Sequence, residues 1–114
     1  MVHADLDKDV NSYYTEYQNT LQKYEEKRGI KITRRLTDAK REKKDTQTCR
    51  SKYKTAIQSF YTDSVNHCWN PCITSALANN DYQAAVDCCS KKYEDAKSQW
   101  NTDLDKVDDC IDKL

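Results

Sequence analysis

Gly29 and Pro71 are the only residues of their kinds in a chain of 114. A β-rich domain of that size needs many tight turns, and tight turns draw on glycine and proline. The chain is therefore predicted to be all-α, an antiparallel bundle of three long helices plus one short helix. At this length it is read as a single helical domain over residues 1–114.

Hydrophobic spacing agrees with that reading. Leu6, Val10, Tyr13, Tyr17, Leu21 and Tyr24 recur at steps of three and four, the stripe of an amphipathic helix. This helix is expected to start near Asp5 and Asp7 and to end at Gly29, which can take a left-handed cap. A second stripe runs through Cys49, Tyr53, Ala56, Ile57, Phe60, Ser64, Val65 and Cys68. Asn70-Pro71 closes it, because the residue before proline is pushed out of the α region, and opens a short helix over 72–78. Residues 33–48 offer only Leu36 and Ala39 to a core, and the second helix is extended back through them as a solvated rim. Asn79-Asn80 breaks the chain again. Asp81 caps a last helix to Lys113 that carries Tyr82, Val86, Cys89, Tyr93, Ala96, Trp100, Leu104, Val107, Ile111 and Leu114 on one stripe.

The aliphatic core is thin: Val, Ile, Leu and Phe together number 17 of 114. So small a fraction normally points to disorder, but disorder also wants high net charge and few aromatics. Here 19 bases balance 19 acids, and 8 Tyr and 2 Trp supply bulk. Six cysteines complete the explanation. An even count in a short, thinly cored chain reads as three disulfides, and disulfides place the protein outside the cell. No apolar run reaches the 18 or so residues that cross a bilayer, so membrane insertion is not expected. Polar sequence follows Met1 at once, which reads as a mature secreted chain behind an added initiator methionine.

Fifteen pairings of six cysteines are possible, and antiparallel geometry narrows them. Facing residues on antiparallel neighbours share a constant index sum: 159 for Cys49 with Cys110, and 157 for Cys68 with Cys89. Cys72 is left for Cys88. The expected bridges are Cys49–Cys110, Cys68–Cys89 and Cys72–Cys88, with the last two open to exchange. A zinc site from Cys68, Cys72, Cys88, Cys89 and His67 lacks a usual finger spacing and leaves Cys49 and Cys110 unexplained. No metal and no cofactor are expected.

Charge is neutral in sum and divided along the chain. Residues 27–54 hold 12 bases against 3 acids, while residues 1–26 and 81–114 are each net acidic by four. A solvated helix face is one reading of the basic segment. The other is a docking surface for an acidic protein or a polyanion such as heparin. Arg34, Arg35, Lys40, Arg41, Lys43 and Lys44 are the candidate contacts, since little else in the fold requires them. Nucleic acid is not expected, because Tyr53 is the segment's one aromatic and sits on the core stripe. The aspartates at 103, 105, 108, 109 and 112 lack the glycine of a calcium loop and read as a wet helix face.

Catalysis has no support. With one glycine no backbone phosphate cradle can be built, and no nucleophile elbow or HExxH occurs. His67 reads as a partly buried, hydrogen-bonded side chain. Tyr14, Tyr61 and Trp69 flank the stripes, where half-exposed aromatics serve binding.

Three segments carry a resemblance across essentially the whole chain: DLDKDVNSYYTEYQ at 5–18, NHCWNPC at 66–72 and DCCSKKYEDAKSQW at 87–100. They resemble the small salivary inhibitors of anopheline mosquitoes, the albicin and anophensin group. The resemblance implies a secreted saliva protein that aids blood feeding and immune evasion by blocking a host plasma cascade. Albicin-like members inhibit the alternative complement pathway by engaging the C3 convertase, built from C3b and Bb. Anophensin-like members interfere with contact activation through factor XII and kininogen. Insect odorant-binding proteins, which carry small ligands, also have six cysteines and a C-x3-C. They end in C-x8-C, whereas Cys88 and Cys89 are adjacent here. A monomer is expected.

Overall fold

The computed structural model describes residues 3–114. Met1, read above as an added initiator, and Val2 lie outside the described residues. The described chain is helical with no strand, and it forms a rod 63 × 17 × 16 Å. Its elements are α1 (His3–Arg41), α2 (Gln47–Tyr61), α3 (Thr74–Asn79) and α4 (Tyr82–Asp112). Wide, π-type turns over Thr62–Asn66 and Cys68–Ile73 connect α2 to α3. Length is thus shared differently from the expected three long helices and one short. α1 has 39 residues and α4 has 31, whereas α2 has 15 and leaves regular α geometry after Tyr61.

Two boundaries differ from expectation for one physical reason. Gly29 does not end α1; it is buried in mid-helix. The helix continues through Ile32, Leu36 and Ala39, all in the core, so residues 33–41 belong to α1 and are no solvated rim of the second helix. The break falls at Lys43, which takes the left-handed conformation at φ 63°. Lys43 N donates to Lys40 O at 3.0 Å and Lys44 N to Ala39 O at 3.1 Å, the paired bonds of a Schellman cap. Asn80 (φ 52°) repeats the arrangement at the end of α3, where Asp81 N donates to Ala76 O at 3.0 Å. Asp81 then caps α4 as expected, its carboxylate accepting from Ala84 N at 3.1 Å. Asn70 leaves the helical region (φ −129°, ψ 112°), as a residue before proline should.

The helices run up, down and up. Bridges Cys49–Cys110, Cys68–Cys89 and Cys72–Cys88 tie α2 and its wide turns to α4, and their Cα separations are 5.6, 4.8 and 5.5 Å. The two outermost follow the constant index sum of antiparallel neighbours. α1 lies parallel to α4, with a constant difference instead: Tyr24 meets Asn101, Arg28 meets Asp105 and Arg35 meets Asp112, each 77 positions apart.

Aromatic rings fill the axis where aliphatic residues are scarce. Neighbouring ring centroids lie 5.2–6.4 Å apart along Tyr82, Tyr13, Tyr17, Tyr93, Tyr24, Phe60, Trp100 and Tyr53. Trp100 and Phe60 are almost fully buried, each burial worth about 1.5–3 kcal/mol or more. Tyr82 departs from the expected core stripe: it closes the chain of rings at the surface, 40% exposed. Tyr17 Oη spans three elements, donating its hydrogen between Ser64 O (2.8 Å) and Cys89 O (3.1 Å).

Candidate protein-binding surface

The helical register converts the sequence's charge blocks into two ends of the rod. One half holds residues 3–26 and 55–102, with 11 acids and 5 bases in the sequence. The other holds residues 27–54 and 103–114, with 14 bases and 8 acids. The cut follows the register, since residue 26 of α1 faces 103 of α4. A neutral chain therefore folds into a dipole with six excess charges of opposite sign on its two halves.

Within the basic half, the six candidate residues divide into two groups. Arg35 is a structural residue: Nη1 donates to Asp108 Oδ1 at 2.7 Å and Nη2 to Asp112. Arg28 makes the same crossing one step earlier, donating to Asp105 (2.6 Å) and Asp108 (2.9 Å) and to Asn101 O (3.2 Å). Together they lace the α1–α4 seam. The hydrogen bond to Asp112, and after it those to Asp108, hold the Arg35 guanidinium above its ordinary pKa. The aspartates read above as a wet face are thus in part the other side of this lacing.

The remaining candidates point to solvent. Arg34 and Lys40 lie on α1, and neither they nor Lys43 makes an ion pair among the described residues. Arg41 stands 3.9 Å from Asp38, and Lys44 stands 3.2 Å from Glu42, both exposed pairs of small energetic weight. The Schellman cap fixes this end of α1 and turns the chain at Lys43. Asp45 Oδ1 accepts from Gln47 N (3.1 Å) and buried Thr46 Oγ1 from Arg50 Nε (2.9 Å), starting α2. The cluster thus sits on a locally ordered corner. Sequence spacing did not single out Ile30, which is 58% exposed on the same half among Lys27, Lys31 and Arg34.

At the acidic end Trp69 is 40% exposed and packs against Tyr14, with centroids 5.1 Å apart. Tyr61 is half-buried against Phe60. His67 is exposed, its Nδ1 3.9 Å from Asp63 Oδ1, and so is not the partly buried residue expected. A groove of about 640 Å³ runs along the α2–α4 seam. Thr48, Ser51, Thr55, Ala56, Gln99 and Asp103 are among the residues that line it. Among the described residues no group of three or more His, Cys, Asp or Glu side chains is arranged to hold a metal ion. Among the described residues no helix is long and apolar enough to cross a membrane. No protein-family model, curated protein or solved structure matches this chain.

Proposed function

We propose that this protein is a secreted inhibitor of a host plasma cascade, acting on the alternative complement pathway by docking on the C3 convertase. Binding, not catalysis, is its mode of action. The observation that carries the reading is the division of labour among the cations. Arg28 and Arg35 are spent on the α4 aspartates, while Arg34, Lys40, Arg41, Lys43 and Lys44 are displayed outward on one end of the rod. The resemblance of the three sequence segments to anopheline salivary inhibitors supplies the cascade.

A rod held by three disulfides presents such a surface with little ordering cost on association. Its charge dipole turns the basic end toward an acidic protein before contact, which raises the association rate. Disulfides are also what a thinly cored chain needs to persist in plasma.

The test is lysis of rabbit erythrocytes in human serum, in magnesium buffer with calcium chelated so that only the alternative pathway runs. The protein should protect the cells in a dose-dependent way. Joint reversal of Arg34, Lys40, Arg41 and Lys43 to Glu should abolish protection with the helical circular dichroism intact. Arg35 is left out because its loss would unlace α1 from α4. Absence of protection by the fully oxidised protein would overturn the reading. The same exposed cations would suit a polyanion, so protection of clotting time together with heparin retention would move the function to contact activation.

A further inference from the structure

We propose that the acidic end of the rod carries a second docking surface, centred on Trp69 and Tyr14, for a Lys/Arg-rich segment of a protein partner. Among the described residues, Trp69 and Tyr82 are the exposed large apolar side chains of this half, each at 40%. Trp69 is mounted rigidly. It stands between Cys68 and Cys72, whose bridges to Cys89 and Cys88 fasten both sides of its turn to α4. Tyr17 Oη holds Ser64 O just before it, and Tyr14 Oη donates to Val65 O at 3.4 Å. The Trp69 ring lies against Tyr14 at 5.1 Å, so one aromatic is already oriented by another.

An exposed tryptophan held in this way loses little freedom when it is covered, which is the property of an interface anchor. The net charge of the half that carries it chooses the partner. This half carries six more acids than bases, and Asp7 stands two helical turns before Tyr14 on the same face of α1. Aromatic faces together with carboxylates attract guanidinium and ammonium groups, and they disfavour an acidic segment or an anionic membrane. The opposite end, with its displayed cations, offers the reverse chemistry.

Deca-arginine is the probe. Titrated into the oxidised protein at low salt with excitation at 295 nm, it should change tryptophan emission saturably, and the affinity should fall steeply by 300 mM NaCl. Trp69→Phe leaves only Trp100, which is buried, so its emission should stay constant. Trp69→Ala, with unchanged circular dichroism and thermal midpoint, should weaken binding measured by calorimetry about tenfold. Deca-glutamate should leave the wild-type emission unaltered. Equal affinity in Trp69→Ala, the same emission change in Trp69→Phe, or no binding by the wild type would each overturn the proposal.

Discussion

Tyr53 Oη donates to the carbonyl of Gly29 at 3.3 Å, and a Cβ added to Gly29 would stand 2.7 Å from that same oxygen. Gly29 is therefore present for close approach of α2 to α1 and not for a left-handed turn. Alanine in mid-helix is otherwise favoured by about 0.5–1 kcal/mol. Gly29→Ala should destabilise the native protein by about 1 kcal/mol, since overpacking outweighs the helical gain. In a Tyr53→Phe background the same change should stabilise. Urea unfolding of the four proteins in a double-mutant cycle reads the coupling directly, and a coupling near zero would remove this explanation of Gly29.

Lys43 occupies a conformation that costs an ordinary L-residue about 1 kcal/mol or more and glycine little. Lys43→Gly should therefore raise stability by about 0.5–1 kcal/mol, a rise of several degrees in the thermal midpoint. The same variant removes one displayed cation. Under the proposed function it should lose some inhibitory potency while becoming more stable, and calorimetry beside the haemolysis assay separates the two effects.

Those two residues also show where sequence alone was misleading. Glycine is the usual left-handed cap, so the only glycine drew the helix end to itself, and a lysine doing the capping gives no compositional signal. Cys49–Cys110 was legible because antiparallel helices impose a constant index sum on facing residues, whereas adjacent Cys88 and Cys89 differ by one in that sum and left their partners Cys72 and Cys68 open to exchange. Asn70-Pro71 and Asn79-Asn80-Asp81 were legible because those residue types act through local sterics and capping. The α1–α4 lacing was hidden, although its clue was present: Arg28 to Arg35 and Asp105 to Asp112 share a spacing of seven. Recognising it required knowing that α1 and α4 run parallel, which is a property of the whole bundle. That Arg35 serves the seam while Arg34 faces solvent follows from the same register.

Asp108 accepts from both Arg28 and Arg35, at 2.9 and 2.7 Å, and so joins two rungs of that seam. Its side chain is partly exposed, which discounts the pairs for solvent screening. Asp108→Asn should cost about 1 kcal/mol at low ionic strength, and the difference from wild type should shrink in 1 M NaCl. Inhibition should be unaffected, because the displayed cations remain in place. A loss of potency without loss of stability would mean that the seam itself is part of the binding surface.

Buried Tyr17 and half-buried Tyr61 should set an alkaline limit to the fold. Burial, and then Glu25, Glu26 and Tyr53, push the Tyr61 phenol up to about 12. Burial followed by Tyr13, Tyr14 and Tyr93 drives Tyr17 higher still. A tyrosine whose folded pKa exceeds its unfolded value of about 10 keeps its proton in the native state after the unfolded chain has lost it. Its contribution to stability is then fully present below about pH 10 and is lost as pH rises toward the folded value. Stability measured by urea unfolding should be flat to about pH 9.5 and fall above pH 10. Part of the tyrosinate absorbance at 295 nm should appear only as helical circular dichroism disappears. Tyr61→Phe should flatten the alkaline decline. Tyr17→Phe should flatten it further and also lower stability at neutral pH by about 1–3 kcal/mol, because Ser64 O and Cys89 O then lose their shared donor. An alkaline profile identical in wild type and both variants would show that other groups control unfolding there.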